Sequence, residues 1–145
     1  MAPLVVMVVV WMAALLTGAA GWQPAGSIVG ALRLGLAAMF IFTALSHFHP
    51  RTRPDLIRMV PPLFPAAGVL VTITGVLEFL GAVGLLLPAV TRVAAYCLMA
   101  LLIALFPANV YAARLGLGVA GRRQMPLAWR AILQIFWIIS LWMVA

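Results

Sequence analysis

Residues 74–85 read TGVLEFLGAVGL and carry one carboxylate, Glu78, near the middle of an otherwise uncharged run from Ala66 to Leu87. A run of that length suits an α-helix, which needs roughly 20 residues to cross ~30 Å of hydrocarbon. A barrel strand needs only about 10, alternating polar and apolar. At helical spacing Val71, Thr74, Gly75, Glu78, Gly81, Ala82 and Leu85 share one face. Small residues on that face let neighbouring helices approach, so the face is expected to point into a bundle and to carry Glu78 inward.

Four further apolar runs, at about 4–21, 27–48, 93–113 and 127–145, flank the one at 66–87. The 145 residues are 67% apolar and only 8% charged, and the mean hydropathy of +1.23 lies far above the soluble range. The fold expected is all-α: a polytopic membrane helix bundle forming a single membrane domain over residues 1–145. The first run could alternatively be a signal peptide, but it lacks a basic leading region and exceeds the usual apolar core of such peptides, so a helix is the preferred reading. The segment at about 54–64, PDLIRMVPPLF, is too short and proline-rich to span. It suits a short interfacial helix or shallow re-entrant turn, or else a covering loop.

All nine basic residues are arginine, and the pI of about 11.7 raises the question of nucleic acid. Their placement answers it as a topology signal. Arg51, Arg53 and Arg58 follow the second run and Arg114, Arg122 and Arg123 follow the fourth, whereas the alternate connections hold only Arg92. The positive-inside rule puts the arginine-bearing connections and the amino terminus in the cytoplasm and the carboxyl terminus outside. Such clusters attract anionic lipid head groups at about 1 kcal/mol per basic residue, so lipid rather than nucleic acid is the expected polyanion. Cys97 is the single cysteine, which excludes an intramolecular disulfide or a dithiol pair within this chain.

A charge near the bilayer centre costs at least ~2.5 kcal/mol unless paired or neutralised. Counted from the outer ends of their runs, Glu78 lies about 15 Å deep and Arg33 about 9 Å deep, a difference an arginine side chain can bridge. Arg33 is therefore the expected partner of Glu78. The alternative is a protonated Glu78 hydrogen-bonded to Thr74 or to a backbone carbonyl. Tyr96 falls near the same level as Arg33, completing an outer cluster, unless it serves like Trp22 and Trp129 in an aromatic belt. A second polar group gathers toward the arginine-bearing side: His47 and His49, Asn109 and Tyr111, and Gln134. Pro107 is expected to free a carbonyl, kink its helix and give Asn109 irregular backbone to bond. His-x-His is a weak metal signal here, and no metal site is expected. No phosphate loop, Ser/His/Asp arrangement or second buried carboxylate supports hydrolysis, and no catalytic residue is assigned.

The stretches RLGLAAMFIFTALSHF (Arg33 to Phe48), MVPPLFP, TGVLEFLGAVGLLLP and ALFPANVYAA, in that order, resemble the DoxX family of small bacterial membrane proteins from about residue 32 to the end. The resemblance implies a four-helix core built by the last four spans, with the first span an addition, in a bacterial cytoplasmic membrane. It also implies a link to thiosulfate:quinone oxidoreductase subunits and to oxidative or thiol stress, more distant relatives assisting receptor assembly. On the matching positions Arg33, His47, Glu78 and Asn109 become candidate site residues, with Tyr96 added by depth. Two functions follow as expectations. One is an accessory subunit holding a quinone or other lipophilic molecule for a membrane redox partner. The other is a non-catalytic assembly factor that recruits partners or lipids through its arginine-rich loops, and either reading is compatible with a homo-oligomer. A small transporter fits less well, because no repeat with paired broken helices is apparent.

Overall fold

A computed structural model describes residues 2–119, 121 and 125–145. Among these, every long element is helical: α1 (Ala2–Ala19), α2 (Ile28–Phe48), α3 (Arg53–Met59), α4 (Ala67–Leu86), α5 (Thr91–Arg114) and α6 (Leu127–Val144). All but the seven-residue α3 are long and apolar enough to cross a membrane. A short 3-10 turn, Gln23–Ala25, joins α1 to α2, and the Ser27 hydroxyl caps α2 by accepting the Gly30 N–H at 2.9 Å. Arg122 and Arg123 lie outside the described residues.

α2 is the hub, packing against α1, α4 and α6, while α5 bridges α4 and α6. The ring α2–α4–α5–α6 is therefore closed, with α4 and α6 on a diagonal and their backbones apart. α1 lies on the outside of α2, where Gly35 admits the backbone of Met7 and the side chain of Trp11. The half of the ring next to the α4–α5 turn is filled by Leu36, Phe40, Leu85, Leu98 and Leu141, each no more than 2% exposed. Gly81 lets Leu98 lie against the α4 backbone, so this half is densely packed. The small-residue face of α4 is the buried one: Val71, Gly75, Glu78, Gly81, Ala82 and Leu85 all point inward.

The segment after α2 is tied down by one side chain. Arg53 donates from Nη1 to the His47 carbonyl at 2.9 Å and from Nη2 to the Gly68 carbonyl at 3.0 Å and the Thr72 hydroxyl at 2.9 Å. It thus serves the last turn of α2, whose carbonyls lack helical partners, and joins it to the start of α4. An arginine placed by the positive-inside pattern is also a structural clamp. The short non-spanning segment at about 54–64 resolves into α3 followed by an irregular proline-bearing stretch up to Ala66, which enters α4 in the left-handed region at φ 55°.

Candidate functional site

At the arginine-bearing end the ring does not close. Between α2, α4, α5 and α6 lies a cavity of about 700 Å³, floored by α3 and the stretch after it (Leu56, Met59, Pro61, Phe64) and reached by Ala2, Pro3 and Leu4 of α1. Its walls are largely apolar, and among the described residues its polar side chains are few: Thr43, Ser46 and His47 from α2, Thr52 before α3, Thr74 and Glu78 from α4, Asn109 from α5, and Arg130, Gln134 and the indole of Trp137 from α6.

The deep end is built around Glu78, which is 6% exposed. Gly75, one turn earlier, has no side chain because His47 occupies that space: a Cβ there would come within 2.6 Å of His47 Cβ. That close approach carries the imidazole into α4. Its Nδ1 lies 2.8 Å from the Val71 carbonyl, and since a carbonyl only accepts, Nδ1 carries a proton. The other nitrogen, Nε2, then faces Glu78 Oε1 at 3.7 Å. The Thr43 hydroxyl neighbours the same carboxyl, and Glu78 Oε2 is buried without a hydrogen-bond partner. Across the cavity, Gln134 Nε2 donates to the Leu102 carbonyl at 2.9 Å. Nearer the mouth, Arg130 donates from Nη1 to Asn109 Oδ1 at 3.1 Å and from Nε to the Met125 carbonyl at 3.2 Å.

Three sequence expectations are corrected by this geometry. Glu78 does not pair with Arg33: the group that faces it is His47, Nε2 to Oε1 at 3.7 Å, and Arg33 Nε is buried with no hydrogen-bond partner. The contact of His47 with Gly75 fixes the antiparallel register of α2 and α4. Fourteen residues back from His47, Arg33 falls beyond the end of α4 at Leu86, opposite the α4–α5 turn. The outer ends of the two helices are not at equal depth: α2 extends about 12 Å further than α4 on that side, and Arg33 stands on that extension. The alternative for Glu78 also gives way at Thr74, whose hydroxyl donates to the Leu70 and Val71 carbonyls and neighbours His47 Nδ1 at 3.3 Å. Asn109, in turn, bonds Arg130 rather than backbone loosened by Pro107, and α5 runs as one helix through that proline.

The cavity thus brings together His47, Glu78, Asn109 and Gln134, and not Arg33 or Tyr96. Tyr96 is 52% exposed on the outer surface of α5. His49 is separated from His47 by the end of α2 and accepts the Arg51 N–H at 3.2 Å in the following turn. Among the described residues no three His, Cys, Asp or Glu side chains gather as a metal site. Arg130 and Thr43 were not singled out from the sequence. Arg130 precedes Gln134 by one turn and so shares its face, a signal available in the spacing.

Five apolar spans around an internal cavity define a multi-pass α-helical membrane protein. The chain belongs to the family described as "Domain of unknown function (DUF8561)", which matches residues 36–145. No curated protein and no solved structure matches it.

Proposed function

We propose that this protein is a membrane-embedded accessory subunit that binds a lipophilic molecule, such as a quinone, in the cavity at the arginine-bearing end of the bundle. The single observation that carries the reading is Glu78: a carboxyl group 6% exposed, with one oxygen unpartnered, set in the wall of a cavity of about 700 Å³. Ionisable side chains are costly inside a membrane and persist where they face a cavity or a ligand. A mostly apolar pocket with a few convergent polar groups has the size and character of a small-molecule site. The packed leucine and phenylalanine layer behind Glu78 closes the other half of the bundle, which supports a binding pocket over a passage.

In this proposal the arginine-bearing end faces the cytoplasm of a bacterial cell and α2 with α4, α5 and α6 forms a DoxX-like core. The family match begins within α2 and leaves α1 outside, in keeping with α1 as an addition to that core. A redox partner would use the bound molecule, because the cavity offers hydrogen-bonding and proton-holding groups and no residue set for covalent chemistry. Native mass spectrometry of the detergent-extracted protein is expected to show a retained lipophilic molecule, and added quinone is expected to raise the melting temperature. Protein that carries no such molecule and melts unchanged over a wide range of quinone concentrations would overturn the proposal.

A further inference from the structure

At the mouth of the cavity a cation stands without an anion. Arg130, half-buried in the first turn of α6, lines the cavity and is held by two hydrogen bonds, from Nη1 to Asn109 Oδ1 at 3.1 Å and from Nε to the Met125 carbonyl at 3.2 Å. Its Nη2 makes no hydrogen bond among the described residues, and the protein does not close it off as it does Arg33 Nε. We infer that the ligand of this cavity is an amphiphile with an anionic head, a carboxylate or a phosphate, which Arg130 holds at the mouth while the apolar part runs inward toward Glu78. The inference rests on the ligand-binding reading above and names the chemical class of the ligand.

The chain supplies no counterion of its own there. It has two acidic side chains, Asp55 and Glu78, and the connection leading into α6, residues 115–126, holds neither. Asp55 meets Arg58 at 3.8 Å. Glu78 faces His47 and lies too deep, as the register of α4 on α5 shows. Gly81 seats Leu98, so these two residues share a level. From that level Glu78 is three residues, about 4.5 Å, toward the arginine-bearing end, and Asn109 is eleven residues, about 16.5 Å, in the same direction. Arg130, bonded to Asn109, therefore stands about 12 Å nearer the mouth than Glu78.

A guanidinium stays charged and can only donate. Drawn into a mostly apolar wall, its charge is costly unless an anion meets it. Carboxylate and phosphate oxygens accept from such a group in short, charge-assisted hydrogen bonds, and two of the guanidinium nitrogens are already fixed by the protein, so the third is presented in a set position. Leu102, Leu105 and Leu133 line the cavity between the two polar levels and suit an alkyl or isoprenoid chain. The reverse placement would leave Arg130 unmet and set an acidic head beside the acidic Glu78.

The test compares three probes that share one alkyl chain, hexadecanoate, hexadecyl phosphate and 1-hexadecanol, on the full-length protein in a neutral detergent at mildly alkaline pH. Binding is read from the concentration dependence of the melting temperature. At least one anionic probe is expected to bind at least ~10-fold tighter than the alcohol, a difference of about 1.4 kcal/mol, and the tighter of the two identifies the head as carboxylate or phosphate. That preference is expected to shrink toward one in Arg130→Gln. It is expected to shrink likewise in Asn109→Asp, which keeps the guanidinium and gives it an internal carboxylate, so the inference stays open to refutation if Arg130→Gln fails to fold. Arg51→Gln removes an exposed charge at the same end but outside the cavity, and is expected to keep the preference. Equal binding of anions and alcohol to the unsubstituted protein would overturn the inference and leave the ligand-binding reading intact. So would a preference undiminished in Asn109→Asp, or one lost as fully in Arg51→Gln, since the surface charge of the protein would then be its source. Failure of all three probes and of quinone to bind would remove both readings.

Discussion

His47 and Glu78 face each other from α2 and α4, imidazole Nε2 to carboxyl Oε1 at 3.7 Å, with the far side of the ring held by the Val71 carbonyl. The backbone carbonyl fixes the tautomer and the glycine at 75 sets the distance, so the pair is positioned by the fold and not by a flexible side chain. Each residue is at least nine-tenths buried. Removing one leaves the facing atom of the other, Nε2 or Oε1, without its counterpart across the helix pair.

The first prediction is a coupling. Glu78→Gln and His47→Gln are each expected to destabilise, and the double variant to lose less than the sum, by about 1 kcal/mol or more, as groups in contact do. Arg33→Gln combined with Glu78→Gln is expected to be additive within ~0.5 kcal/mol, because the two side chains lie at different levels of the bundle. Thermal unfolding in detergent supplies both cycles. Coupling at Arg33 with none at His47 would reverse the assignment made here.

Arg53 gives the second. Its guanidinium reaches the His47 carbonyl, the Gly68 carbonyl and the Thr72 hydroxyl, and hydrogen bonds from a charged donor are worth about 1.5–3 kcal/mol each when well placed. Arg53→Lys keeps the charge needed for orientation but cannot span three acceptors on two helices. It is expected to lower stability by ~1–2 kcal/mol while the orientation of the termini, read by accessibility of introduced cysteines, stays as in the parent. A variant as stable as the parent would reduce Arg53 to a topology signal.

The contrast between Glu78 and Arg53 shows what the sequence makes legible. Hydropathy located the five spans to within two or three residues at their ends, and helical periodicity placed Glu78 on the buried face of α4, because both are properties of one segment. The partner of Glu78 depends on how far α2 slides along α4. That register is decided by a close contact at Gly75 that no single segment encodes. Arg53 sits beside Pro54 in a connection whose composition announces only charge, and its three acceptors come together only when two helix ends meet. Arg130 is within reach of the spacing argument, because it stands one turn before Gln134 on the same face.

Ala66 carries the third prediction. It is the only non-glycine among the described residues with positive φ, at 55°, and it turns the chain into α4. The left-handed region costs an alanine about 1–2 kcal/mol, which outweighs the extra freedom glycine brings to the unfolded chain. Ala66→Gly is expected to raise the midpoint of unfolding, by up to ~1 kcal/mol. A lowered midpoint would mean that the turn does not hold this conformation in the membrane.

The last prediction separates two glycines of the same helix by what stands opposite them. A Cβ on Gly75 would meet the Cβ of His47 at 2.6 Å and its ring carbon at 2.9 Å. A Cβ is fixed to its backbone, so no rotamer change relieves the first contact, and α2 and α4 must separate. Gly75→Ala is therefore expected to cost ~1–3 kcal/mol, as overpacking does, and to weaken the His47 contacts with Val71 and Glu78. At Gly68 the nearest atoms lie at 3.8 Å and 4.0 Å, ordinary contact distances at the ends of the Ile57 and Arg53 side chains. There the better helix propensity of alanine, up to ~1 kcal/mol, is unopposed and Gly68→Ala is expected to stabilise. Unfolding of the two variants side by side, in the same detergent, reads the sign of each change. If Gly75→Ala were tolerated as well as Gly68→Ala, α2 and α4 would not approach as closely as described, and the position of His47 against Glu78 would fall with that contact.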